Sequence, residues 1–211
     1  MSYDTTLVLQ AQKCFQTSKG SHDWDHSLRV HKLSLKIGEE EKANMQVLST
    51  AAYLHDIARK IQDDSQGKIC HAEMGAVMAK TMLTRLNLNQ TFINEVVHCI
   101  KTHRYRGQNI PESLEAKILF DADKLDSIGA VGIGRTFLYA GEIGAKLYNK
   151  EKNLAETKQY TPEATAYREF ALKLKYIKDR MLTQAGKKLA QERHDFMMLF
   201  FERMNLEVDG N

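Results

Sequence analysis

The stretch LSTAAYLHDIARK, at residues 48–60, joins an apolar helical stripe to an adjacent histidine and aspartate. His55 follows Leu48 by seven residues and Ala51 by four, so these residues share one face of a predicted helix. Asp56 comes next, and near the end of a helix two adjacent side chains can turn toward one point. Because a polar group on a core-facing stripe is costly without a partner, this pair predicts a bound cation or another buried partner.

Three further histidines lie on predicted apolar faces. The stripes are His26 with Val30, Leu33 and Ile37; His71 with Met74, Met78 and Met82; and His103 with Val96 and Ile100. Imidazole and carboxylate groups suit divalent transition ions, so these histidines together with the His-Asp pair indicate a metal site. A satisfied core histidine is the alternative for each one alone. His71 opens its predicted helix and is explained equally well as an N-terminal polar residue.

A second source of ligands is the segment DADKLD at residues 121–126, which places three acids inside an apolar helical pattern. Packing alone explains such a cluster poorly. Asp121 and Asp123 both follow apolar residues at helical spacing, so periodicity leaves the choice between them open.

Helical periodicity recurs along nearly all of the 211 residues, and the chain has only two prolines to interrupt it. No alternating strand pattern is present, so we predict an all-α fold. We predict a single domain over residues 1–211, with a metal-site core at about 20–130 and a helical extension at about 140–211. The predicted helices cover about 4–17, 23–41, 44–58, 71–86, 90–103 and 111–125, the last opened by Pro111, with two long helices within 162–207; breaks are predicted at 17–21, 62–68, 104–111 and 149–161.

The segment Gly129–Gly144 is glycine-rich but otherwise apolar, and we assign it to no element. Its G-x-x-G-x-G pattern at Gly129, Gly132 and Gly134 reverses the dinucleotide-binding fingerprint and follows no predicted strand. We therefore interpret these glycines as positions of close helix packing or of a tight bend.

Composition narrows the function only modestly. The net charge of +3 is too small to indicate a nucleic-acid or membrane-surface protein. Three cysteines without a C-x-x-C motif predict a reducing, cytoplasmic location. The N-terminal residues do not resemble a signal peptide, and no apolar run approaches the ~18–20 residues of a membrane span. We expect no membrane and no nucleic-acid partner, and the sequence leaves the oligomeric state open, a homodimer included.

Taken in order, His26, His55-Asp56 and Asp123 resemble the H…HD…D pattern of the HD-domain superfamily of metal-dependent phosphohydrolases. Longer segments are similar to small stand-alone bacterial HD hydrolases over nearly the whole chain. These segments are SHDWDHSLRVHKLS (21–34), LSTAAYLHDIARK (48–60), EAKILFDADKLDSIGAVGIGR (115–135) and TQAGKKLAQERHDFMMLFFERM (183–204).

The resemblance implies an all-helical fold and one divalent metal bound by His26, His55, Asp56 and Asp123. It favours Asp123 over Asp121 because the last ligand of the superfamily is typically the aspartate of an A-D-x-L segment. His71 and His103 fall where some HD proteins add two histidines and bind a second metal.

The implied ion, one of Mn, Co, Fe, Ni, Zn or Mg, would polarise a phosphoryl oxygen and lower the pKa of bound water from 15.7 toward ~7. Asp56 is then a catalytic residue as well as a ligand. Negative charge that develops on the phosphate during hydrolysis is stabilised by nearby cations. Each candidate cation has an alternative interpretation as a solvated surface charge. The candidates are Arg59 and Lys60 as catalytic residues and Arg104, Lys124 and Arg135 as substrate-binding residues, with Asp23 and Asp126 to orient histidines.

Departures from related groups bear on the substrate. Arg59 stands where HD nucleoside-monophosphate phosphatases tend to carry glutamate, and Asp126-Ser127 stands where (p)ppGpp hydrolases typically show His-Asn. The resemblance favours a small phosphorylated substrate, a nucleoside triphosphate cleaved to monophosphate and pyrophosphate. The alternatives are a di-iron oxygenase on the same scaffold, which would need His71 and His103, and a metal- or nucleotide-binding module without catalysis.

Overall fold

The computed structural model describes residues 3–15, 23–106, 108–150, 153–159 and 161–211. Within these ranges every regular element is helical and no strand occurs, so the all-α prediction is confirmed. The α-helices are α1 (Tyr3–Lys13), α2 (Trp24–Glu41), α3 (Met45–Leu54), α4 (Arg59–Asp64), α5 (His71–Arg85), α6 (Gln90–Thr102), α7 (Leu114–Leu125), α8 (Gly129–Glu142), α9 (Ala166–Leu172) and α10 (Gln184–Val208), and 3-10 helices lie at Leu154–Glu156 and Leu174–Arg180. None of the described helices combines the length and the hydropathy that a bilayer span requires.

The chain folds as two compact units, Met1–Asp123 and Lys124–Asn211. In the first unit α3 packs against both α2 and α6, and α6 packs against α5. Gly38 allows α2 to approach α3, because a Cβ atom at this position would lie 2.6 Å from Cδ2 of Leu48. The predicted single domain with a helical extension stays a prediction.

Short polar side chains determine where helices of the first unit begin. Asn44 Oδ1 accepts from the backbone N–H of Val47 at 3.3 Å and caps α3. Ser113 Oγ accepts from the backbone N–H of Ala116 at 3.1 Å, so α7 begins at Leu114. The predicted start at Pro111 is therefore wrong, because the hydroxyl of a later residue satisfies an N–H group of the first turn.

Other predicted boundaries also differ. The polar segment 62–68 was expected to be a loop, but α4 extends to Asp64. The first helix ends at Lys13 rather than near residue 17, and the predicted break at 17–21 lies outside the described residues.

Two predictions about the second unit are wrong. Residues 162–207 do not form two long helices, because Lys173 leaves helical geometry and ends α9 after seven residues. The glycine-rich segment forms α8. Its left-handed glycines, Gly129 (φ 75°) and Gly144 (φ 67°), lie at the start of that helix and beyond its end, so they do not interrupt it.

In the second unit α8 packs against α10. A Cβ atom on Gly132 would lie 2.3 Å from the carbonyl oxygen of Ser127, and one on Gly129 would lie 2.9 Å from Cγ of Arg193. Gly129 therefore allows close packing against α10, and Gly132 allows a tight bend against the preceding turn, so the two parts of the interpretation are each confirmed at one glycine. Gly134 has open space around it, so the interpretation does not hold there.

Candidate metal centre

The adjacent residues His55 and Asp56 lie in the turn between α3 and α4. Both side chains are buried. His55 Nε2 lies 3.4 Å from His26 Nε2, and Asp56 Oδ2 lies 3.8 Å from the same atom. The turn therefore directs two adjacent side chains toward one point. Consecutive residues inside a helix project in different directions and do not converge in this way.

His55 and His103 are held by the same local hydrogen bond. They are the C-caps of α3 and α6, and each donates from Nδ1 to a carbonyl three residues earlier, Ala52 O at 2.8 Å and Ile100 O at 2.6 Å. Carbonyls of a last helical turn lack intrahelical partners. Because a carbonyl only accepts, Nδ1 carries the proton and Nε2 keeps its lone pair.

His71 is oriented by Gln62, a residue that nothing in the sequence distinguishes from its polar neighbours. Gln62 Oε1 accepts from His71 Nδ1 at 2.9 Å and from Arg104 Nη1 at 2.9 Å. Arginine only donates, so the shared amide atom is the oxygen, and His71 Nδ1 must carry its proton. The Nε2 atom of His71 therefore also keeps its lone pair.

Asp123 is the aspartate that α7 contributes. Its Oδ1 lies 3.4 Å from His26 Nε2, and its side chain is 15% exposed. Asp121 is fully buried, and its carboxylate is not among the side chains whose ligand atoms lie close enough together to hold a metal. The geometry thus distinguishes two residues that periodicity could not separate.

The ligand atoms form two clusters, in each of which the atoms lie within 4.8 Å of one another. The first cluster is His26, His55 and Asp123; the second cluster is Asp56, His71 and His103. Asp56 faces both, because its Oδ2 approaches His26 while its Oδ1 lies 3.0 Å from His71 Nε2 and 3.6 Å from His103 Nε2. Asp56 could therefore contribute one carboxylate oxygen to each cluster.

Burial lowers the pKa of His55 to about 4, and it also lowers the pKa of His71. The charge of Asp56 opposes both shifts, whereas that of His103 adds to them. Both imidazoles are consequently neutral near pH 7, which is the form that binds a metal.

The donor chemistry of the clusters fits a divalent ion. His71 Nε2 and His103 Nε2 lie 3.1 Å apart, and both carry lone pairs because their protons are on Nδ1. Two acceptors cannot form a hydrogen bond, so a cation that contacts both would replace a repulsion with two favourable contacts. Mixed imidazole and carboxylate donors suit Mn, Fe, Co, Ni or Zn better than Mg.

The predicted cations of the first unit have different surroundings. Arg59 Nε lies 3.4 Å from Asp63 Oδ1. Burial is the main cause of the lowered pKa of His71, and the charge of Arg59 adds to it, so Arg59 lies near the second cluster. Arg104 reaches the same region through Gln62. Lys60 Nζ lies 2.9 Å from both carboxylate oxygens of Asp64, at the exposed surface.

The remaining predicted residues have identifiable partners. Asp23 Oδ1 caps α2 by accepting from the backbone N–H of His26 at 3.0 Å, so it fixes the start of the helix that carries this histidine. In the second unit Arg135 Nη1 lies 2.6 Å from Oδ2 of the fully buried Asp126. Lys124 is half-buried. The substrate-binding roles of Lys124 and Arg135, and the histidine-orienting role of Asp126, stay predictions.

A family model for the HD domain matches residues 23–128, half of the chain, and this range contains both clusters. The chain belongs to the HD domain family.

Relatives of this HD protein match it along nearly its whole length. YpgQ of Bacillus subtilis is 32% identical over 203 residues, which cover 94% of this chain and 90% of YpgQ. The crystal structure of YpgQ in complex with ADP has a TM-score of 0.76 and 29% identity, and the match covers 97% of this chain and 94% of that one. An HD-superfamily hydrolase from Bacillus thuringiensis has a TM-score of 0.77 and 29% identity, with 98% and 97% covered. Its family and these neighbours identify the HD protein as a metal-dependent phosphohydrolase.

Proposed function

We propose that this HD protein hydrolyses nucleotides, and specifically that it cleaves nucleoside triphosphates to monophosphate and pyrophosphate. The observation that carries the proposal is the pair of clusters that Asp56 faces. Four imidazoles and two carboxylates meet there, and the imidazoles of His55, His71 and His103 keep their Nε2 lone pairs. A stable buried core has no need of such an arrangement.

In this proposal a first ion would be held by His26, His55, Asp56 and Asp123. A second ion would be held by Asp56 together with His71 and His103. A bound divalent ion polarises a phosphoryl oxygen and supplies hydroxide at neutral pH by lowering the pKa of water toward about 7.

The chain's own cations would then stabilise the substrate. Arg59 and Arg104 lie near the second cluster, where they can bind oxygens of a polyphosphate and the charge that develops as the phosphorus–oxygen bond breaks. Lys60 is the third proposed cation of the first unit. It would have to leave Asp64 in order to bind substrate.

Support for a nucleotide comes from a relative. YpgQ was crystallised with ADP, and this chain is 29% identical in sequence to the protein in that structure. A cytoplasmic location is part of the proposal and is in keeping with three free thiols among the described residues.

The test begins with protein stripped of metal by a chelator and reloaded with Mn²⁺, Co²⁺ or Mg²⁺. Each form is assayed against nucleoside triphosphates, diphosphates, monophosphates, cyclic nucleotides and a generic phosphate ester, with products separated by ion-exchange chromatography. We expect metal-dependent release of pyrophosphate and monophosphate in equal amounts. Release of orthophosphate alone would contradict the proposed bond, and no turnover of any substrate would favour the non-catalytic binding module.

A matched pair of histidine variants makes the assay specific. His55→Asn should lose both metal and turnover, whereas His194→Asn, a half-buried histidine of α10 outside both clusters, should keep them.

The second cluster also favours one alternative, a di-iron oxygenase, because this activity requires His71 and His103 to meet, as they do here. Metal analysis distinguishes the two activities. Two irons per chain together with oxygen consumption would identify the oxygenase, whereas turnover with redox-inert Mg²⁺ or Zn²⁺ would exclude it as the source of that activity.

A further inference from the structure

Helix α10 has an apolar face that the chain leaves exposed. Its inner face buries Ala190, Met197 and Phe201. On the outer side Phe196 is 47% exposed and Leu199 is 64% exposed. Large apolar side chains grouped on one exposed helix face usually mark a contact surface.

Six of the exposed residues of α10, including the large apolar residues Phe196, Leu199 and Leu206, lie on one face of the helix, which we call the outer stripe. Successive members are separated by four, four, three, four and three residues, the spacing of a helix face that packs against another helix. The members are Lys188, Glu192, Phe196, Leu199, Arg203 and Leu206.

We propose that the outer stripe binds the outer stripe of a second copy of this chain, antiparallel, about a two-fold axis that passes between Phe196 and Leu199. In this register Phe196 of one copy faces Leu199 of the other. Two-fold symmetry produces each residue contact twice, so a small number of different contacts contributes twice to the stability of the dimer.

The charges of α10 determine the direction of pairing. With the axis between Phe196 and Leu199, Glu192 faces Arg203 of the second copy, and Lys188 faces Glu207 of the second copy. A parallel pairing in register would instead place each of these residues opposite its own copy, so that like charges would meet. Of these two arrangements, the antiparallel one is complementary in charge.

The surface beside the stripe adds apolar area. A cavity of about 280 Å³ is lined by Glu192 and Phe196 of α10 and by Val131 of α8. Val131 is itself 42% exposed. In the proposed register Leu199 and Arg203 of the second copy lie over this cavity, where their side chains can occupy it.

The test measures the mass of the full-length chain by sedimentation velocity from about 1 to about 200 μM. We expect twice the monomer mass at the upper concentrations. Leu199→Asp should raise the dissociation constant about tenfold or more, because the charge is buried twice against Phe196. The matched control is Val77→Asp, an exposed valine of α5 that is 62% exposed, and it should leave the dissociation constant unchanged.

A charge exchange tests the register. Arg203→Glu and Glu192→Arg should each weaken the dimer, because each places like charges opposite one another. The double variant E192R/R203E should restore the wild-type dissociation constant. Because Arg203 also pairs with Glu207 in its own helix at 2.7 Å, thermal melts of each variant serve as a control for folding.

Three results would overturn the proposal. They are a wild-type chain that stays monomeric at every concentration, a Leu199→Asp dimer as tight as that of Val77→Asp, and a double variant as weak as either single one. A monomeric chain that binds phosphatidylcholine vesicles through Leu199 would assign the stripe to a lipid surface and would also overturn it.

Discussion

Two buried aspartates, one in each unit of the chain, have opposite surroundings. Asp126 is fully buried beside the guanidinium of Arg135, whose Nη1 lies 2.6 Å away, so the chain supplies its countercharge. Asp56 is 3% exposed and faces imidazoles, of which that of His71 is kept neutral by burial. A buried acid is therefore not in itself a sign of function. The source of its countercharge distinguishes the acid that the chain itself neutralises from the acid proposed to bind metal.

The largest expected effect comes from Asp56→Asn. This change removes the carboxylate that faces both clusters, so hydrolysis should fall about 10³-fold or more and bound metal should be lost. The metal-free variant should be at least as stable as metal-free wild type, because a buried acid is removed. Metal content, kcat/KM and the unfolding midpoint measure the three effects. An Asp56→Asn enzyme with normal activity would refute the proposed metal site.

Asp126→Ala should have the opposite effects, a loss of stability without a loss of metal binding. It removes the carboxylate that pairs with the largely buried Arg135, which should cost about 3–5 kcal/mol in the free energy of unfolding. Because Asp126 pairs with Arg135 in this comparison, the protein that still folds should bind metal as wild type does; a loss of metal would instead support the predicted histidine-orienting role of Asp126. Urea unfolding and metal analysis are the measurements, and the double variant D126L/R135M should recover most of the lost stability. If D126A lost metal but not stability, the contrast between the two aspartates would be wrong.

Removal of the metal should lower the stability of the wild-type protein. A ligand at 100 times its dissociation constant stabilises the folded state by about 2.7 kcal/mol, and this increment should disappear on chelation. It should be retained in Asp126→Ala and absent in Asp56→Asn. Thermal unfolding with and without added Mn²⁺ measures the increment, and an equal increment in both variants would contradict the assignment.

The smallest effect is expected for Gln62→Ala, which frees the imidazole of His71. Loss of a group that orients a metal ligand typically weakens metal binding about 10- to 100-fold, and here only the second cluster should be affected. Titration calorimetry should show one weakened site and one unchanged site. Gln191→Ala, which removes an exposed amide on α10, is the control; if it weakened metal binding equally, the role of Gln62 would be unsupported.

The four cluster histidines could be recognised from sequence because their helices have one apolar face and one polar face. Asp121 and Asp123 could not be separated in this way, because α7 is buried on nearly every side. Ile118, Leu119, Phe120 and Ala122 are all fully buried, so the helix offers no contrast between an inner and an outer face. Only the family pattern favoured Asp123 before the geometry was known.

Residues that act through other residues were harder to predict. Gln62 lies in a polar run, and nothing in such a run distinguishes an amide that contacts a ligand from one that contacts water. The cations were chosen for nearness in sequence, a criterion that does not separate Arg59 from Lys60. Their environments differ because Arg59 lies near the second cluster, whereas Lys60 pairs with Asp64 at the surface.

The hydrogen bonds that orient the histidines have a consequence for how the centre tolerates mutation. His55 and His103 are fixed by main-chain carbonyls at positions 52 and 100, which every amino acid supplies. His71 depends on the side chain of Gln62. Substitutions at positions 52 and 100 therefore leave the orientation of His55 and His103 unchanged. The orientation of His71 can be lost by one substitution at Gln62. On the proposed function, a lineage that replaced Gln62 would weaken the second proposed ion before the first, so two-ion and one-ion enzymes would be separated by a single substitution.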